Sequence, residues 1–469
     1  MKAPCFALIT LLLLALFAPP SLGEVKPNIV LILADDLGSA DLGYRGGEAW
    51  TPNIDRLARE GVRLDAFYGQ QLCSPARAAL MTGRYPMRYG LQSLFIMPGH
   101  RYGLPTDERT IPEALREAGY QTYMVGKWHL GHGERQYWPQ NRGFDHFYGN
   151  LLGMVDYYTH DGGGVVDWQR NGQFIQEPGY HTELIAAEAV RLIQRQDRNR
   201  PFFLYFAPLA PHAPYQVPQA ELKRYASMPE GERRTYLAMV SALDRAVGRL
   251  ARALDETGLR RNTLILFASD NGGLGPSAQG PARNFPFRGG KGELHEGGVR
   301  VPAFANWPGK LKPSIIDEPA HMVDIMPTLL ALSGGKVNPA RPLDGQDLWP
   351  LLAEGKAVPR EEILINVEAS GGALRKDGWK LVMPTLQPGR AQLFDLAHDV
   401  GETANLARLY PEIAADLQTR LLIYASWQKP SAALKANNPI LPQAPEGFMF
   451  DVGLGWEVFS GSPAAAKVR

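Results

Sequence analysis

Acidic and amide side chains directly follow two apolar runs of this chain. Asp35 and Asp36 end the run 28–34, and Asp270 and Asn271 end the run 263–268. Carboxylates that crowd together repel one another unless a cation lies between them. Oxygen ligands of this kind select a hard cation, Ca²⁺ or Mg²⁺. A single pair is read more simply as a helix or turn cap, but two pairs placed alike favour a metal site.

A second group of candidate residues is basic. A single histidine is usually structural and a single lysine is usually solvated, so each member alone is weak evidence. One lysine of the group lies in a glycine-dense loop, 287–298, where backbone and ammonium can approach a ligand closely. Several cations beside a metal predict a pocket for an anionic ester. The group consists of Arg77, Lys127, His129, His212 and Lys291.

The segment 71–84 predicts a short helix with a reactive side chain at its start. Ser74 is the expected N-cap, Pro75 the first helical residue and Gly83 the end of the helix. Cys73 would then lie just outside the helix N-terminus, which favours an anion. Arg77 would lie about one turn into the helix. The simpler interpretation of Cys73 is a small buried apolar residue.

The motif Cys73-x-Pro75-x-Arg77 resembles the signature of the formylglycine-dependent sulfatases, a family of the alkaline-phosphatase superfamily. Residues 142–145 and 151–158 further resemble the arylsulfatase B branch, which removes the 4-sulfate of N-acetylgalactosamine. Further matches to the family follow in its order at Ala34 to Gly38, Thr82 to Tyr85, Gly126 to Gly131, Pro211-His212, Ser269 to Gly273, and Lys291 with Glu296 to Gly298.

This resemblance implies a modified nucleophile and a metal. Cys73 would be oxidised to 3-oxoalanine (formylglycine) by a formylglycine-generating enzyme or an anaerobic sulfatase-maturating enzyme. The family also implies Ca²⁺, with Mg²⁺ as a possibility. Its ligands would be Asp35, Asp36, Cys73, Asp270 and Asn271.

The resemblance also implies roles for the basic group. The hydrated aldehyde at residue 73 would attack sulfur, and Asp270 would take its proton. Arg77, Lys127 and Lys291 would neutralise the sulfate charge. His212, with Lys291, would protonate the departing alcohol, and His129 would take the second hydroxyl proton.

The implied activity is hydrolysis of sulfate monoesters. The substrate would be a sulfated sugar, such as N-acetylgalactosamine 4-sulfate, or an aryl sulfate. One alternative is a phosphonate or phosphate ester hydrolase on the same fold. Another is a catalytically silent glycan-binding protein in which Cys73 is never oxidised.

Composition and the N-terminus bear on partners and location. The 469 residues carry a net charge of +1, which provides no basic field for nucleic acid. Residues 1–23 are expected to be a signal peptide, too short in its apolar part for stable membrane insertion, and the alternative is an uncleaved N-terminal anchor. After its removal Cys73 is the single cysteine, and no Asn-x-Ser/Thr sequon is present. These features favour export to a bacterial periplasm or secretion.

Apolar runs that alternate with amphipathic segments predict an α/β fold. We expect a mostly parallel, mixed sheet sandwiched by helices, within a sulfatase catalytic domain at 24–345. Residues 346–469 are expected to form a small C-terminal α+β subdomain, with an antiparallel sheet and a helix. Residues 131–180 are expected to be a long irregular insertion, either lining a substrate cleft or forming plain surface loop.

Overall fold

A large mixed sheet organises the part of the chain that this computed structural model describes, residues 26–162, 164–387 and 389–436. The strands, in chain order, are β1 (Asn28–Ala34), β2 (Val62–Tyr68), β3 (Gln121–Gly126), β4 (His146–Gly149), β5 (Asp161–Gly162), β6 (Val165–Val166), β7 (Gln169–Arg170), β8 (Gln173–Phe174), β9 (Phe202–Ala207), β10 (Thr263–Ser269), β11 (Arg300–Asn306), β12 (Ser314–Ile316), β13 (Ala320–His321), β14 (Glu362–Val367), β15 (Gly372–Lys376), β16 (Trp379–Met383) and β17 (Gln392–Asp395).

The centre of the large sheet is parallel. Its order is β12-β2-β11-β10-β1-β9-β3-β4-β7-β8, and β13 also pairs with β2. Strands β10, β1, β9, β3 and β4 run parallel, whereas β11 is antiparallel to both β10 and β2. The central strands β1, β9 and β10 are continuous apolar runs and are buried along their whole length, as expected for a sheet covered on both faces. The predicted fold class is confirmed.

Helices cover both faces of the large sheet. Side chains of β1 alternate between two apolar cores, so Leu31 and Leu33 enter one core while Val30 and Ile32 enter the other. The α-helices are α1 (Pro52–Arg59), α2 (Cys73–Thr82), α3 (Ile111–Glu117), α4 (His181–Arg195), α5 (Gln219–Leu222), α6 (Glu232–Glu256), α7 (Glu296–Val299), α8 (Ile325–Ser333), α9 (Trp349–Glu354), α10 (Pro411–Trp427) and α11 (Ala432–Ala436).

A second, antiparallel sheet follows in the order β14-β15-β16-β17, and α10 packs on it. This is the small sheet and helix predicted for the C-terminal region. Its apolar side chains Leu364, Leu374 and Leu381 belong to the same core as Leu31 of β1. The two sheets therefore share one apolar interior, and a domain boundary at residue 345 stays a prediction.

Two features differ from the sequence-based expectation. Residues 131–180 were expected to be irregular, but β4 adds to β3 in parallel and β7 and β8 extend the sheet. Strands β2 and β11 were not predicted. The sequence of β2, VRLDAFY, interrupts its apolar residues with Arg63 and Asp65, so it lacks the continuous apolar run that marks β1.

Two of the predictions concern residues near the termini that the structure does not describe. The proposed signal peptide, residues 1–23, lies outside the described residues, as does the last part of the C-terminal subdomain, 437–469. Among the residues that are described, no helix combines the length and the apolar character that crossing a bilayer requires.

Candidate active site

The loops that follow β1 and β10 meet at the carboxyl edge of the sheet. The two strands pair in parallel with Ala34 opposite Ser269, so the residues that follow them are neighbours. The backbone N–H of Asp36 donates to Asp270 Oδ1 at 3.3 Å, and Asn271 Nδ2 donates to Asp36 Oδ1 at 2.7 Å. Residues more than 230 positions apart in the sequence are thus brought together, as the strand-end pattern predicts.

Helix α2 carries Cys73 to this edge, but it begins differently from the prediction. Cys73 is its first residue, and Ser74 is not the N-cap. The Ser74 hydroxyl donates to the carbonyl of His129 at 3.0 Å and accepts from the backbone N–H of Ile96 at 3.0 Å. The Ser74 hydroxyl therefore bonds to long-range partners and does not cap the helix. The predicted end of the helix is confirmed, since Gly83 follows it with φ 65°.

Cys73 lies buried against the first acidic pair. Its Sγ donates to Asp35 Oδ1 at 3.5 Å. Burial, and then the charge of Asp35, raise the pKa of the Cys73 thiol, so the unmodified side chain is protonated at neutral pH. Ligand atoms of Asp35, Asp36, Cys73 and His212 lie within 4.8 Å of one another, which makes them a possible metal-binding cluster.

Two cations bind the carboxylates of Asp35 and Asp270. Arg77 Nη2 lies 2.9 Å from Asp270 Oδ2 and 3.3 Å from Asp35 Oδ2, and Lys127 Nζ also contacts Asp35 Oδ2. Burial by itself raises the pKa of Asp35, but the neighbouring cations, above all Lys127, hold that pKa well below its usual range. Burial and the charge of Asp35 raise the pKa of Asp270. Of the pair, Asp270 is therefore the readier proton acceptor.

Lys291 and His212 approach the remaining carboxylate, that of Asp36. Lys291 Nζ lies 2.7 Å from Asp36 Oδ2, and His212 Nε2 lies 3.6 Å from the same oxygen. His212 Nδ1 is 2.6 Å from the carbonyl oxygen of Ala213, which can only accept, so Nδ1 carries the hydrogen. Burial, and then the charge of Lys291, lower the pKa of His212 to about 4. The neutral ring thus presents an unprotonated Nε2 to the site.

His129 lies at the edge of this cluster. Its Nε2 donates to the carbonyl of Ile96 at 3.1 Å, and its buried Nδ1 has no hydrogen-bond partner among the described residues. Burial and the charges of Lys127 and Arg77 hold the pKa of His129 well below its usual value. His129 is therefore a neutral ring with a free acceptor nitrogen.

The donor set fits an oxygen-binding cation. Asp35, Asp36 and Asp270 supply carboxylate oxygens, and Asn271 supplies an amide oxygen. Asn271 Oδ1 is buried and has no hydrogen-bond partner within the described part of the chain, although its Nδ2 has two acceptors. An unpaired buried acceptor costs free energy unless a ligand satisfies it, and a hard cation would do so.

Sequence reasoning missed two residues that hold the loop after Asp36. The Tyr236 hydroxyl accepts from the backbone N–H of Gly38 at 3.0 Å and donates to Asp41 Oδ2 at 2.9 Å. Asp41 is buried and also accepts from the backbone N–H of Arg283 at 2.9 Å. Nothing in the sequence distinguishes Tyr236 from the other buried residues of α6, so only the structure identifies it.

The segment 153–158 lies against both histidines of the site. A Cβ on Gly153 would stand 2.2 Å from Cε1 of His129, and the Tyr157 hydroxyl donates to the His212 carbonyl at 2.8 Å. Met154 and Tyr158 of the same segment are exposed. This part of the insertion borders the candidate site, as expected for a substrate-lining loop.

Comparison with known proteins supplies the family. Residues 27–335 match the family model described as Sulfatase. Mouse Arylsulfatase J is 37% identical over 455 residues, which cover 85% of this chain and 76% of that protein. Human Arylsulfatase A is 39% identical over 378 residues, covering 75% and 72%. Human N-acetylgalactosamine-6-sulfatase is 37% identical over 361 residues, covering 71% and 67%.

Solved structures agree with this match. The crystal structure of Ps i-CgsB in complex with k-i-k-neocarrahexaose has a TM-score of 0.82 and 33% identity, and the match covers 89% of this chain and 99% of that one. The PsFucS1 sulfatase from Pseudoalteromonas sp. has a TM-score of 0.72 and 28% identity, covering 86% and 90%. This chain belongs to the sulfatase family and is a sulfuric ester hydrolase.

Proposed function

We propose that this protein hydrolyses sulfate monoesters of a sulfated sugar, using residue 73 as formylglycine beside a bound divalent cation. One observation carries the proposal. Cys73 Sγ lies 3.5 Å from Asp35 Oδ1, at an edge where buried Arg77, Lys127 and Lys291 all bind carboxylates. A nucleophile between a metal-type acidic cluster and three cations suits attack on an anionic ester.

The state of Cys73 supports a modified nucleophile. A buried thiol beside Asp35 remains protonated at neutral pH, and a protonated thiol is a poor nucleophile. Formylglycine at this position would supply a hydrated aldehyde, with one hydroxyl to attack sulfur and the other to release the sulfate. Its formation requires a formylglycine-generating or anaerobic sulfatase-maturating enzyme as a partner.

The cation would be Ca²⁺, or Mg²⁺, held by Asp35, Asp36, Asp270 and Asn271 together with the modified residue 73. When bound, it would lower the pKa of an attached hydroxyl and polarise a sulfate oxygen. The side chains around it already have defined partners. The two nitrogens of Arg77 that bind Asp270 also fix that carboxylate beside the loop of Asp36.

Cationic side chains would hold the sulfate group. Arg77, Lys127 and Lys291 are buried, so their charges act on a substrate with little screening by water. They lie next to Asp35 and Asp36, so in this proposal their positive charge would stabilise the sulfate oxygens as these gain charge. This is electrostatic stabilisation by groups that already lie in the site before the substrate binds.

Proton transfers would involve Asp270 and the two histidines. The raised pKa of Asp270 suits it to accept the proton of the attacking hydroxyl. His212 Nε2 is unprotonated in the free protein, and the negative charge of a bound sulfate ester would favour its protonated form. Protonated His212, with Lys291, would then donate to the departing alcohol. The free Nδ1 of His129 suits it to accept the second proton.

A sugar ester is favoured over a simple aryl sulfate as the natural substrate. The structural neighbour Ps i-CgsB, 33% identical, has neocarrahexaose bound, and N-acetylgalactosamine-6-sulfatase is among the sequence relatives. Met154 and Tyr158 are exposed in the segment 153–158, which contacts His129 and His212, and they would offer apolar surface for a sugar ring. The 4-sulfate of N-acetylgalactosamine stays the specific prediction for the arylsulfatase B-like branch.

Parallel assays on one alcohol test the reaction class. We expect purified protein to cleave 4-nitrophenyl sulfate in preference to 4-nitrophenyl phosphate, and to release sulfate from one or more members of a panel of sulfated mono- and oligosaccharides. In Cys73→Ala, sulfate release should fall to background because no aldehyde can form, while the circular dichroism spectrum stays that of the wild type.

Three outcomes would contradict this proposal. Sulfate release retained by Cys73→Ala would exclude residue 73 as the nucleophile. Preference for the phosphate ester would favour the phosphonate or phosphate hydrolase. An unmodified thiol in the peptide that contains residue 73, measured by mass spectrometry on inactive protein that binds the sugars, would favour the silent glycan-binding protein.

A further inference from the structure

A network of buried charges joins the C-terminal sheet to the large sheet. Lys380 of β16 extends its Nζ to 2.9 Å from Glu296 Oε1 and 3.0 Å from Glu402 Oε1. All three side chains are 0% exposed. Removing ions from water is costly, and a well-packed apolar cluster is often as stable, so stability alone does not account for this arrangement.

Glu296 is held from both its side chain and its backbone. It is the first residue of α7 and stands five positions after Lys291. Its Oε2 accepts from the Tyr68 hydroxyl at 2.8 Å and from Arg300 Nη1 at 3.3 Å. Its backbone N–H donates to Glu402 Oε2 at 2.6 Å. The position of Glu296 is thus fixed by groups from β2, β11 and the loop after β17.

The backbone of the segment 288–298, which contains Lys291, forms hydrogen bonds with loops of the candidate site. The N–H of Gly292 donates to the carbonyl of Gln71 at 2.8 Å, two residues before Cys73. The N–H of Lys291 donates to the carbonyl of Gly273 at 3.1 Å, in the loop of Asn271. A shift of this segment would therefore move the Lys291 ammonium relative to Asp36.

Backbone contacts join the start of α7 to the rest of this segment and to the loop of Asn271. The N–H of Gly297 donates to the carbonyl of Arg288 at 2.7 Å, closing the segment on itself. The N–H of Gly272 donates to the carbonyl of Gly298 at 2.9 Å, and a Cβ on Gly272 would stand 1.8 Å from the carbonyl oxygen of Gly297. The residues next to Glu296 and the loop of Asn271 are therefore in direct backbone contact.

We propose that Lys380, Glu296 and Glu402 are positioning residues, which set the place of the Lys291 ammonium in the site from the C-terminal sheet. The proposal rests on the role proposed above for Lys291 at the sulfate group. It gives the C-terminal sheet a part in the reaction, which acts through the position of Lys291. A misplacement of about 1 Å is enough to cost about 100-fold in rate.

The principal variant is Lys380→Met, which keeps most of the side-chain volume and removes the charge. We expect kcat for 4-nitrophenyl sulfate to fall by about 10- to 100-fold with a smaller change in KM, because the lost contact acts on charge that develops during the reaction. The matched control is Lys376→Met on the neighbouring strand β15, whose ammonium makes partly exposed contacts with Asp377 and Asp416. This control should keep wild-type kinetics.

A double-mutant cycle separates positioning from general loss of structure. In a Lys291→Ala background, adding Lys380→Met should lower kcat no further, because the group that Lys380 positions is already absent. If the two effects multiply, Lys380 acts through something other than Lys291 and the proposal is wrong. Glu402→Gln provides a second variant, which keeps the shape of the side chain and is expected to show a smaller effect in the same direction.

Hydrogen exchange tests the proposal without relying on catalysis. In Lys380→Met, amide exchange should rise in peptides covering 288–298 and stay unchanged in the central strands β1 and β10. A rise spread over the whole protein, or none in 288–298, would show that the network does not hold this segment. Sulfatase inactivity of the wild type would contradict the proposed function, and local exchange would then still decide whether Lys380 holds the Lys291 segment.

Discussion

At the scale of single residues, Asn271 is the most informative ligand of the proposed metal. Its amide nitrogen has two acceptors, Asp36 Oδ1 and the carbonyl of Gly272, while its buried amide oxygen has no hydrogen-bond partner among the residues that the structure describes. If no cation binds, this oxygen only destabilises the fold. If one binds, the oxygen becomes a ligand.

Two substitutions at this position distinguish these cases. Asn271→Asp keeps an oxygen and adds a charge that repels Asp36, so the protein without metal should be less stable and the increase in melting temperature on adding Ca²⁺ should be larger. Asn271→Leu should lose most of the Ca²⁺-dependent increase seen in the wild type. The measurement is thermal unfolding after treatment with EDTA, with and without Ca²⁺. A full Ca²⁺ response in Asn271→Leu would contradict the assignment.

Single residues also show what the sequence could predict. Asp35, Asp36, Asp270 and Asn271 follow continuous apolar runs, and parallel strands bring their carboxyl ends to one edge, so their meeting was predictable. The role of Ser74 was not predictable, because its hydroxyl forms hydrogen bonds with the backbone of Ile96 and His129 and does not cap the helix. A residue that satisfies the rule for an N-cap had long-range partners, and local rules do not describe those.

At the scale of elements, the insertion between β3 and α4 shows how a loop can fix a side chain of the candidate site. Gly153 packs against the ring of His129, leaving no space for a side chain between them. The ring of His129 also donates to the carbonyl of Ile96. The insertion and the loop at residue 96 therefore hold this ring between them.

Gly153→Ala tests this contact. The added Cβ would stand 2.2 Å from Cε1 and 2.3 Å from Nε2 of His129, so the ring must move. We expect kcat for a sulfate ester to fall by about 100-fold. In the control Gly401→Ala, the Cβ would meet its nearest neighbour at 3.4 Å, an ordinary contact, and kcat should be unchanged. Wild-type kcat in Gly153→Ala would show that the place of the His129 ring does not matter.

The elements themselves were predictable to different degrees. The buried strands β1, β9 and β10 and the helix Pro411–Trp427 follow from apolar runs and helical periodicity. Strand β2 does not follow from such a pattern. Its sequence mixes apolar and charged residues, and its pairing with β11 stabilises it as a strand. Tertiary pairing, which has no local signal, decides such segments.

At the scale of the whole molecule, buried neutral histidines link stability to pH. His181 is fully buried in α4, and its Nε2 donates to Asn150 Oδ1 at 3.0 Å. Burial, and then the charge of His160, lower the pKa of His181 from 6.5 to about 3. Between about pH 3 and pH 6.5, His181 is therefore protonated in the unfolded chain and neutral in the folded chain. Stability from this group is complete above pH 6.5 and is lost as the pH falls.

His181→Gln should reduce this acid sensitivity. Gln lacks a titrating group, so the loss of unfolding free energy between pH 7 and pH 5 should be smaller than in the wild type by about 2 kcal/mol. Urea unfolding at both pH values, followed by circular dichroism, measures the difference. Because both proteins are compared with themselves at neutral pH, any constant cost of the substitution cancels. Equal losses in the two proteins would mean that His181 titrates alike in the folded and unfolded chains.

The pairing of three cations with three carboxylates at the sheet edge has a consequence for ligand order. Arg77, Lys127 and Lys291 are each engaged with Asp35, Asp36 or Asp270 before any ester arrives. A divalent ion would compete for these carboxylates and so free the cationic groups for an incoming anion. Linkage requires the reverse as well, so each ligand would tighten the hold on the other. If the proposed function is right, binding of the divalent ion would therefore break these charge pairs and make the three cations available to the sulfate.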